Sequence, residues 1–290
     1  MRIANVEHQG RCKVAVSNGN GDWLDFSAEL DALEPGGKPI RSIQDLLDSG
    51  RWNESSLHGA GMPACSGEVR FRAPFARPGQ IIALARNYTA HARESTLPIP
   101  HEPIFFSKSN TSVVGPEEAV VLPPNLGRVE PEIELAIVIG KEASHVPAER
   151  AGDYIAGYTI LNDVSAQELQ SREIEEGYPL FRCKSLKTFT PMGPCILTVD
   201  EAGVEPTLQM TLRVNGEARV TTNTSGLTFG VPRLIEFISG YIVLMPGDII
   251  TTGCPKAAGA ICPGDTMSLE IENIGTLRNP VVAGTELCPA

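Results

Sequence analysis

In the segment VEPEIELAIVIG, Glu130, Glu132 and Glu134 recur at every second position. On an extended strand that spacing sends the three carboxylates to one face and Ile133, Leu135 and Ile137 to the other, which makes a row of hard oxygen ligands. The same alternation also describes the solvated face of an edge strand, where glutamates only keep the protein soluble. Asp163 shifts the balance toward a site. It ends the apolar run YIAGYTILND, beside Asn162, and polar residues at the ends of rigid strands are where sites are built. Three carboxylates gathered with few cations repel one another strongly, and a divalent hard cation relieves that repulsion. Oxygen-only ligation favours Mg²⁺, Mn²⁺ or Ca²⁺ over zinc, and of these Mg²⁺ is the expected cofactor.

Proton-transfer chemistry has its own candidates. In NYTAHARE, Glu94 stands three residues after His91; a carboxylate there can orient the imidazole and raise its basicity, which makes the pair a candidate general base for activating water. The alternative is an i,i+3 pair on a helix surface. Lys184 lies in KSLKTF near Phe181, Leu186 and Phe189, apolar company for a residue type that usually faces water. Arg86 and Lys108 are candidates to hold a second acidic group of a substrate, with solvent-facing charge as the equal alternative.

The elements that must position these residues are mostly strands. ELAIVIG and YIAGYTILND read as buried strands, and CPGDTMSLEIENIGTLRNPVV as two more. VSAQELQSREIEEG reads as a helix with Ser165 as N-cap and Glu168 three residues on. VPRLIEFISG is a short amphipathic helix ending at Gly240, and LMPGDIITTG a turn followed by a strand. Residues 1 to 75 form a small leading α/β module with a strand at KVAVS and a helix around Ile43 to Leu47, and polar sequence from His58 to Gly67 reads as a linker. Residues 76 to 290 are strand-dominated with peripheral helices, so the expected class is mixed, β-rich α+β, and the βαβ alternation of a dinucleotide-binding fold is not there.

Composition narrows the function classes. A chain of 290 residues with 42% hydrophobic and 20% charged residues can bury a full core. The net charge of −11 argues against nucleic acid, whose binding relies on clustered Lys and Arg. A small anion remains compatible, because a metal and a few basic groups can reverse the local field. Seven scattered cysteines without C-x-x-C spacing argue against zinc ribbons and disulfide frameworks. No apolar run of membrane-spanning length occurs and the opening residues lack the core of a signal peptide, so no membrane association and a cytoplasmic address are expected.

The series RNYTAHARE, PIFFSKSNTSVVGP, EPEIELAIVIGK, AGYTILNDVSAQELQ, KSLKTFTPMGP, RVNGE and LMPGDIITTGCP resembles the fumarylacetoacetate hydrolase superfamily in order and spacing, over residues 76 to 290. The leading module resembles the small N-terminal domain of many bacterial members. The resemblance implies a β-roll catalytic domain, a homodimer, and metal ligation by Glu132, Glu134 and Asp163, with Glu130 as an accessory acid. It implies that His91 and Glu94 lie on a segment closing over the site, and that Lys184 and Gln170 hold the substrate and its developing oxyanion. Besides Lys187, which stands where an Asp is common in relatives, the chain departs from the pattern in two places. Gln167 stands where many relatives have Arg, which keeps a hydrogen-bond donor but loses charge. The resemblance places Gln167, Thr252, Gly253 and Cys254 against the substrate; the last three stand where relatives have T-G-T, so at Cys254 a thiol, the poorer donor, replaces a hydroxyl facing the substrate.

The implied chemistry begins with a 2-oxo acid chelated to the cation, which stabilises an enolate at the neighbouring carbon. With a second carbonyl at C4, water attack breaks the C3 to C4 bond of an acylpyruvate-like β-diketo acid. That carbon-carbon hydrolysis is the expected reaction. The alternative is an isomerase, tautomerase or decarboxylase acting on a 2-oxo or 2-hydroxymuconate-type diacid. A metal-free binding relative with the same fold is the reading from another class.

Overall fold

The computed structural model describes residues 1–17, 19, 21–27, 39–52, 62–88, 99–255 and 258–285. Its strands are β1 (Arg2–His8), β2 (Arg11–Ser17), β3 (Trp23–Asp25), β4 (Arg70–Phe71), β5 (Ile81–Ala85), β6 (Ile104–Lys108), β7 (Val113–Val114), β8 (Val120–Leu122), β9 (Val129–Glu130), β10 (Ile133–Ile139), β11 (Ile155–Asn162), β12 (Ser165–Ala166), β13 (Thr190–Thr198), β14 (Gln209–Val214), β15 (Glu217–Asn223), β16 (Ile249–Thr251), β17 (Thr266–Ile271) and β18 (Gly275–Ala283). Three helices matter here: α1 (Ile43–Asp48), α2 (Gln167–Glu175) and α3 (Val231–Ser239). This is the mixed, β-rich α+β class expected from the sequence.

The large sheet runs β3-β2-β1-β13-β11-β10-β16-β5-β6, with β4 beside β1 and β7 beside β13. Most neighbours are antiparallel, while β16 with β5 and β13 with β7 are parallel. A second sheet, β15-β14-β17-β18-β8, packs on its middle. Between the two lies one apolar core, in which Met210, Leu212, Met267, Leu269 and Leu277 meet Ile133, Leu135, Ile137 and Ile139. On the opposite face of the large sheet, Ala136 and Val138 join a second core with Val14, Val16 and Phe26 and with Ile43, Leu46 and Leu47 of α1. Strand β10 is therefore central and covered on both faces. Its continuous apolar run IELAIVI has the composition that such a position demands, and the solvated-edge reading of its glutamates is removed.

The three glutamates do not share one strand. Pro131 has no N–H to give a ladder, and pairing stops there: Val129 and Glu130 form β9, which pairs with β12 through Glu130 and Ser165, and β10 begins at Ile133. Two helix expectations fare differently. α3 starts with Pro at its first turn, stops at Gly240 and buries Val231, Leu234, Ile235 and Ile238, as its pattern requires. In α2 the N-cap is Ala166, with no side-chain cap. Ser165 belongs to β12 and donates its hydroxyl to the Asp163 carbonyl oxygen at 2.8 Å.

The leading residues extend the large sheet, since β1 pairs with β13 at Arg2 opposite Leu197, and among the described residues they share the second core with the body's strands. Of the expected linker, 58–61 lie outside the described residues, and Ala64 bridges to Leu24. No described helix is long and apolar enough to cross a membrane.

Candidate active site

The antiparallel pairing of β10 with β11 sets Ile133 opposite Asn162, and this register brings Glu132 beside Asp163. Asn162 secures the junction: its buried side-chain oxygen accepts the Glu132 N–H at 2.9 Å, while the Asp163 N–H donates to the Glu132 carbonyl oxygen at 2.9 Å. Glu134 is held from the other side. Strand β16 lies next to β10, and just beyond it the Gly253 N–H donates to Glu134 Oε2 at 2.7 Å. Gly253 has φ +88°, and a Cβ there would meet the Leu84 carbonyl oxygen and Asn87 Cβ at 3.3 Å, so backbone conformation and space both call for glycine. The result is one cluster in which a carboxylate oxygen from each of Glu132, Glu134 and Asp163 lies within 4.8 Å of the others.

Two lysines enter the cluster. Lys184 Nζ donates to Glu132 Oε2 at 2.8 Å and to Asp163 Oδ2 at 2.7 Å, and lies 5.8 Å from the centre of the Phe106 ring. Lys108 is buried beneath Asp163, where its Nζ donates to Asp163 Oδ1, to the Lys184 carbonyl oxygen and, at 3.3 Å, to the Phe189 carbonyl oxygen. All three of its donors are spent. Lys108 therefore does not face outward to hold a second acidic group of a substrate, as expected from the sequence; it neutralises and orients a cluster carboxylate.

The charges shift one another. Burial pushes the Glu134 carboxyl up to about 8, and the neighbouring Asp163 charge adds to the effect. Burial also works to raise Asp163, but Lys108 and Lys184 prevail and hold it below the usual carboxylate range. Burial would lower Lys184, yet Asp163 and Glu132 hold it well above an ordinary lysine. For Lys108, burial prevails and pulls it down. Three carboxylates face two ammonium groups, and among the described residues Glu134 has no ion-pair partner. Carboxyl oxygens in excess of their lysine partners, converging in this way, fit a hard divalent cation, which would stabilise the ionised form of Glu134.

Residues 80–282 match the model of the fumarylacetoacetate (FAA) hydrolase C-terminal family. The chain belongs to the fumarylacetoacetate hydrolase family. It is 35% identical over 295 residues to the mitochondrial oxaloacetate tautomerase FAHD2A of Bos taurus, covering 97% of this chain and 92% of that one. The solved fumarylacetoacetate hydrolase from the psychrophile Exiguobacterium antarcticum superposes with a TM-score of 0.85 at 29% identity, covering 98% and 100% of the two chains. The maleylpyruvate hydrolase of Sphingobium sp. SYK-6, solved with manganese(II) and pyruvate, gives a TM-score of 0.77 at 32% identity, with 98% and 100% covered. These relatives are family enzymes of both the tautomerase and the hydrolase kind.

Around the cluster the remaining expected residues divide. Gln167, at the first turn of α2, donates from Nε2 to Glu132 Oε1 at 3.3 Å, so this family member steers a cluster carboxylate with a neutral amide. Gln170 Oε1 is buried with no hydrogen-bond partner among the described residues. Thr252 is not available to a substrate as expected: its hydroxyl and its N–H both donate to the Leu135 carbonyl oxygen at 3.0 Å, tying β16 to β10. Cys254 is half-buried; Tyr88 is buried, its hydroxyl donates to Met210 Sδ at 3.6 Å, and burial above all raises its phenol. Arg86 is half-buried at the end of β5 with φ 58°, an uncommon conformation for arginine. Glu130 stands outside the cluster, its carboxylate paired with Arg128 Nε at 3.3 Å. His91 and Glu94 lie outside the described residues.

Sequence reasoning missed the clamp by Asn162 and the burial of Tyr88 and Glu173. Asn162 was readable in part, since it adjoins Asp163 at the strand end. Glu173 carries no local signal, being one of several acids in REIEEG.

Proposed function

We propose that this chain is a Mg²⁺-dependent enzyme acting on a small 2-oxo acid, and that its reaction is keto–enol isomerisation of a 2-oxo dicarboxylate such as oxaloacetate. The observation that carries the reading is the buried cluster of Glu132, Glu134 and Asp163 with Lys184 anchored on two of its members. The full-length likeness to a tautomerase supports the choice of reaction.

Glu132, Glu134 and Asp163 would hold the cation, with Gln167 and the Gly253 N–H orienting two of them. A bound divalent cation would polarise the keto and carboxylate oxygens of a 2-oxo acid and lower the cost of negative charge at the adjacent carbon. Lys184, kept charged by its carboxylate partners, presents a fixed donor to an oxygen that gains charge, where preorganised donors count most. His91, with Glu94 as its proposed partner in the H-x-x-E motif, would move the proton between C3 and the C2 oxygen. Gln170, with its unpartnered Oε1, would bind a substrate hydroxyl or water.

Hydrolysis of an acylpyruvate-like β-diketo acid is the second reading. It is favoured by the H-x-x-E pair, which can as well activate water for attack at C4, and by the likeness to maleylpyruvate hydrolase. The two divide in one assay series with purified protein and Mg²⁺. Decay of the oxaloacetate enol absorbance faster than with Mg²⁺ alone, without pyruvate formation, supports isomerisation. Pyruvate release from acetylpyruvate with no effect on oxaloacetate would overturn it in favour of hydrolysis.

The boundary near residue 75 is proposed as a functional one: the cluster and its partners all follow it, and the family match starts at residue 80. A cytoplasmic address and a homodimer complete the proposal, to be tested by fractionation and sedimentation.

A further inference from the structure

Along α2, Gln167, Gln170 and Glu173 recur at every third position, close to one face of the helix. The first touches Glu132, at the cluster. The last is buried, although Arg172, Ile174 and Glu175 around it are exposed. A carboxylate withdrawn from water needs strong partners. Arg182 and Cys183 supply them: Oε1 accepts from Arg182 Nε at 2.8 Å, Oε2 accepts the backbone N–H of Cys183 at 3.3 Å, and the Cys183 thiol hydrogen-bonds the same carboxylate. The Arg182 side chain is 66% exposed, so the ion pair alone gives no reason to bury the acid.

The Cys183 N–H does give one. Between α2 and β13 the chain runs through turns with no strand partner, and its buried backbone groups must find acceptors elsewhere. Cys183 is held at both ends: its N–H by the Glu173 carboxylate of α2, its carbonyl oxygen by the N–H of Ala166, the residue that caps α2, at 3.0 Å. The next residue is Lys184, whose carbonyl oxygen accepts from Lys108 and whose Nζ spans Glu132 and Asp163. Where Lys184 starts decides whether its ammonium reaches both carboxylates.

We infer that Glu173 is a positioning residue: by fixing the backbone at Cys183 it sets the reach of Lys184 into the carboxylate cluster. The catalytic part of this inference rests on the proposed role of Lys184 as donor to the developing oxyanion.

A double-mutant cycle tests it, with oxaloacetate enol and Mg²⁺ as probes. Glu173→Ala is expected to lower kcat about tenfold or more, the scale of a misplaced catalytic group, with little change in KM. Glu173→Gln keeps one oxygen for the Cys183 N–H and should fall between wild type and the alanine variant. In a Lys184→Ala background the same substitution should cost no more than about twofold, because coupled residues do not lose activity independently. Arg182→Ala, which removes only the exposed partner, should stay within about threefold of wild type. Losses from Glu173→Ala and Lys184→Ala that multiply in full would overturn the inference, as would wild-type kcat in Glu173→Ala. If the alanine variant does not fold, the cycle is run with Glu173→Gln.

A second arm needs no turnover. Calorimetric Mg²⁺ affinity should shift in the same direction in Glu173→Ala as in Lys184→Ala, and shift no further when the two are combined. Absence of oxaloacetate turnover by wild type would sink the proposed function, yet this arm would still decide on Glu173.

Discussion

Two kinds of ion pair coexist in this molecule, and they differ in everything but chemistry. Lys108 with Asp163 has side chains 0% and 1% exposed, whereas Arg213 with Glu270, across β14 and β17, has 38% and 53%. Burial takes two charges from water at a cost that mutual attraction repays only when every donor and acceptor is met. In the cluster Lys108 spends all three donors and Lys184 spans two carboxylates, while Glu134, which burial holds toward its neutral form, has no ion-pair partner among the described residues; on the β14–β17 surface water does most of the work. Buried charge at the end of a central strand is thus a site held ready for a counter-charge, and the surface pair is an ornament of solubility.

Asp163→Ala would break the comparison most forcefully. It strands the Lys108 ammonium without its carboxylate, and a loss of about 3–5 kcal/mol is expected in denaturant unfolding. Metal uptake in calorimetry should vanish with it. A variant as stable as wild type would show that the cluster's charges are not coupled as described. Glu132→Ala should also abolish metal uptake but cost much less stability, on the order of 1 kcal/mol, because this side chain is 16% exposed and its partner Lys184 keeps Asp163. Unchanged Mg²⁺ binding would remove Glu132 from the ligand set.

The pH dependence sharpens the same point. With its carboxyl pushed up to about 8, Glu134 carries a proton in the metal-free protein at neutral pH, and a cation must displace it. Mg²⁺ affinity should therefore fall roughly tenfold per pH unit as pH drops below that value, with about one proton released per ion bound near pH 7. Calorimetry in buffers of different ionisation enthalpy counts that proton, and a count of zero would refute the raised carboxyl. The raised value also means that Glu134 alone opposes folding increasingly as pH rises from the ordinary carboxylate range toward 8, a burden the bound cation removes. At the bottom of the scale, Arg213→Ala should leave stability within about 0.5 kcal/mol of wild type, measured by thermal unfolding.

Much of the site was legible because its signals are local. The every-second-residue acids, the apolar run ending in Asn162 and Asp163, and each family motif are written in residues a few positions apart. The failures share one cause. Thr252 was read as facing substrate, but its hydroxyl goes to the Leu135 carbonyl oxygen of a strand more than a hundred residues away. Lys108 reads from the sequence as a holder of a second acidic group of a substrate, but β6 delivers it under Asp163. Glu130 was grouped with its neighbours until Pro131 ended the pairing. The Ser165 cap yielded to β12, because pairing with Glu130 and a bond to the Asp163 carbonyl oxygen offered its backbone and hydroxyl better partners than the helix start.

By itself, then, the amino-acid order determined which stretches are strands, where carboxylates stand on them, and to which family the chain is akin. These follow from two-residue periodicity, proline and glycine chemistry, and short motifs, all written in adjacent residues. Only the tertiary structure decided which acids meet, which lysines neutralise them and which buried carboxylate braces Lys184. Partners for buried charge are chosen by sheet register and by crossings between distant segments, and the cost of leaving such a charge unmet is too high for local preference to overrule.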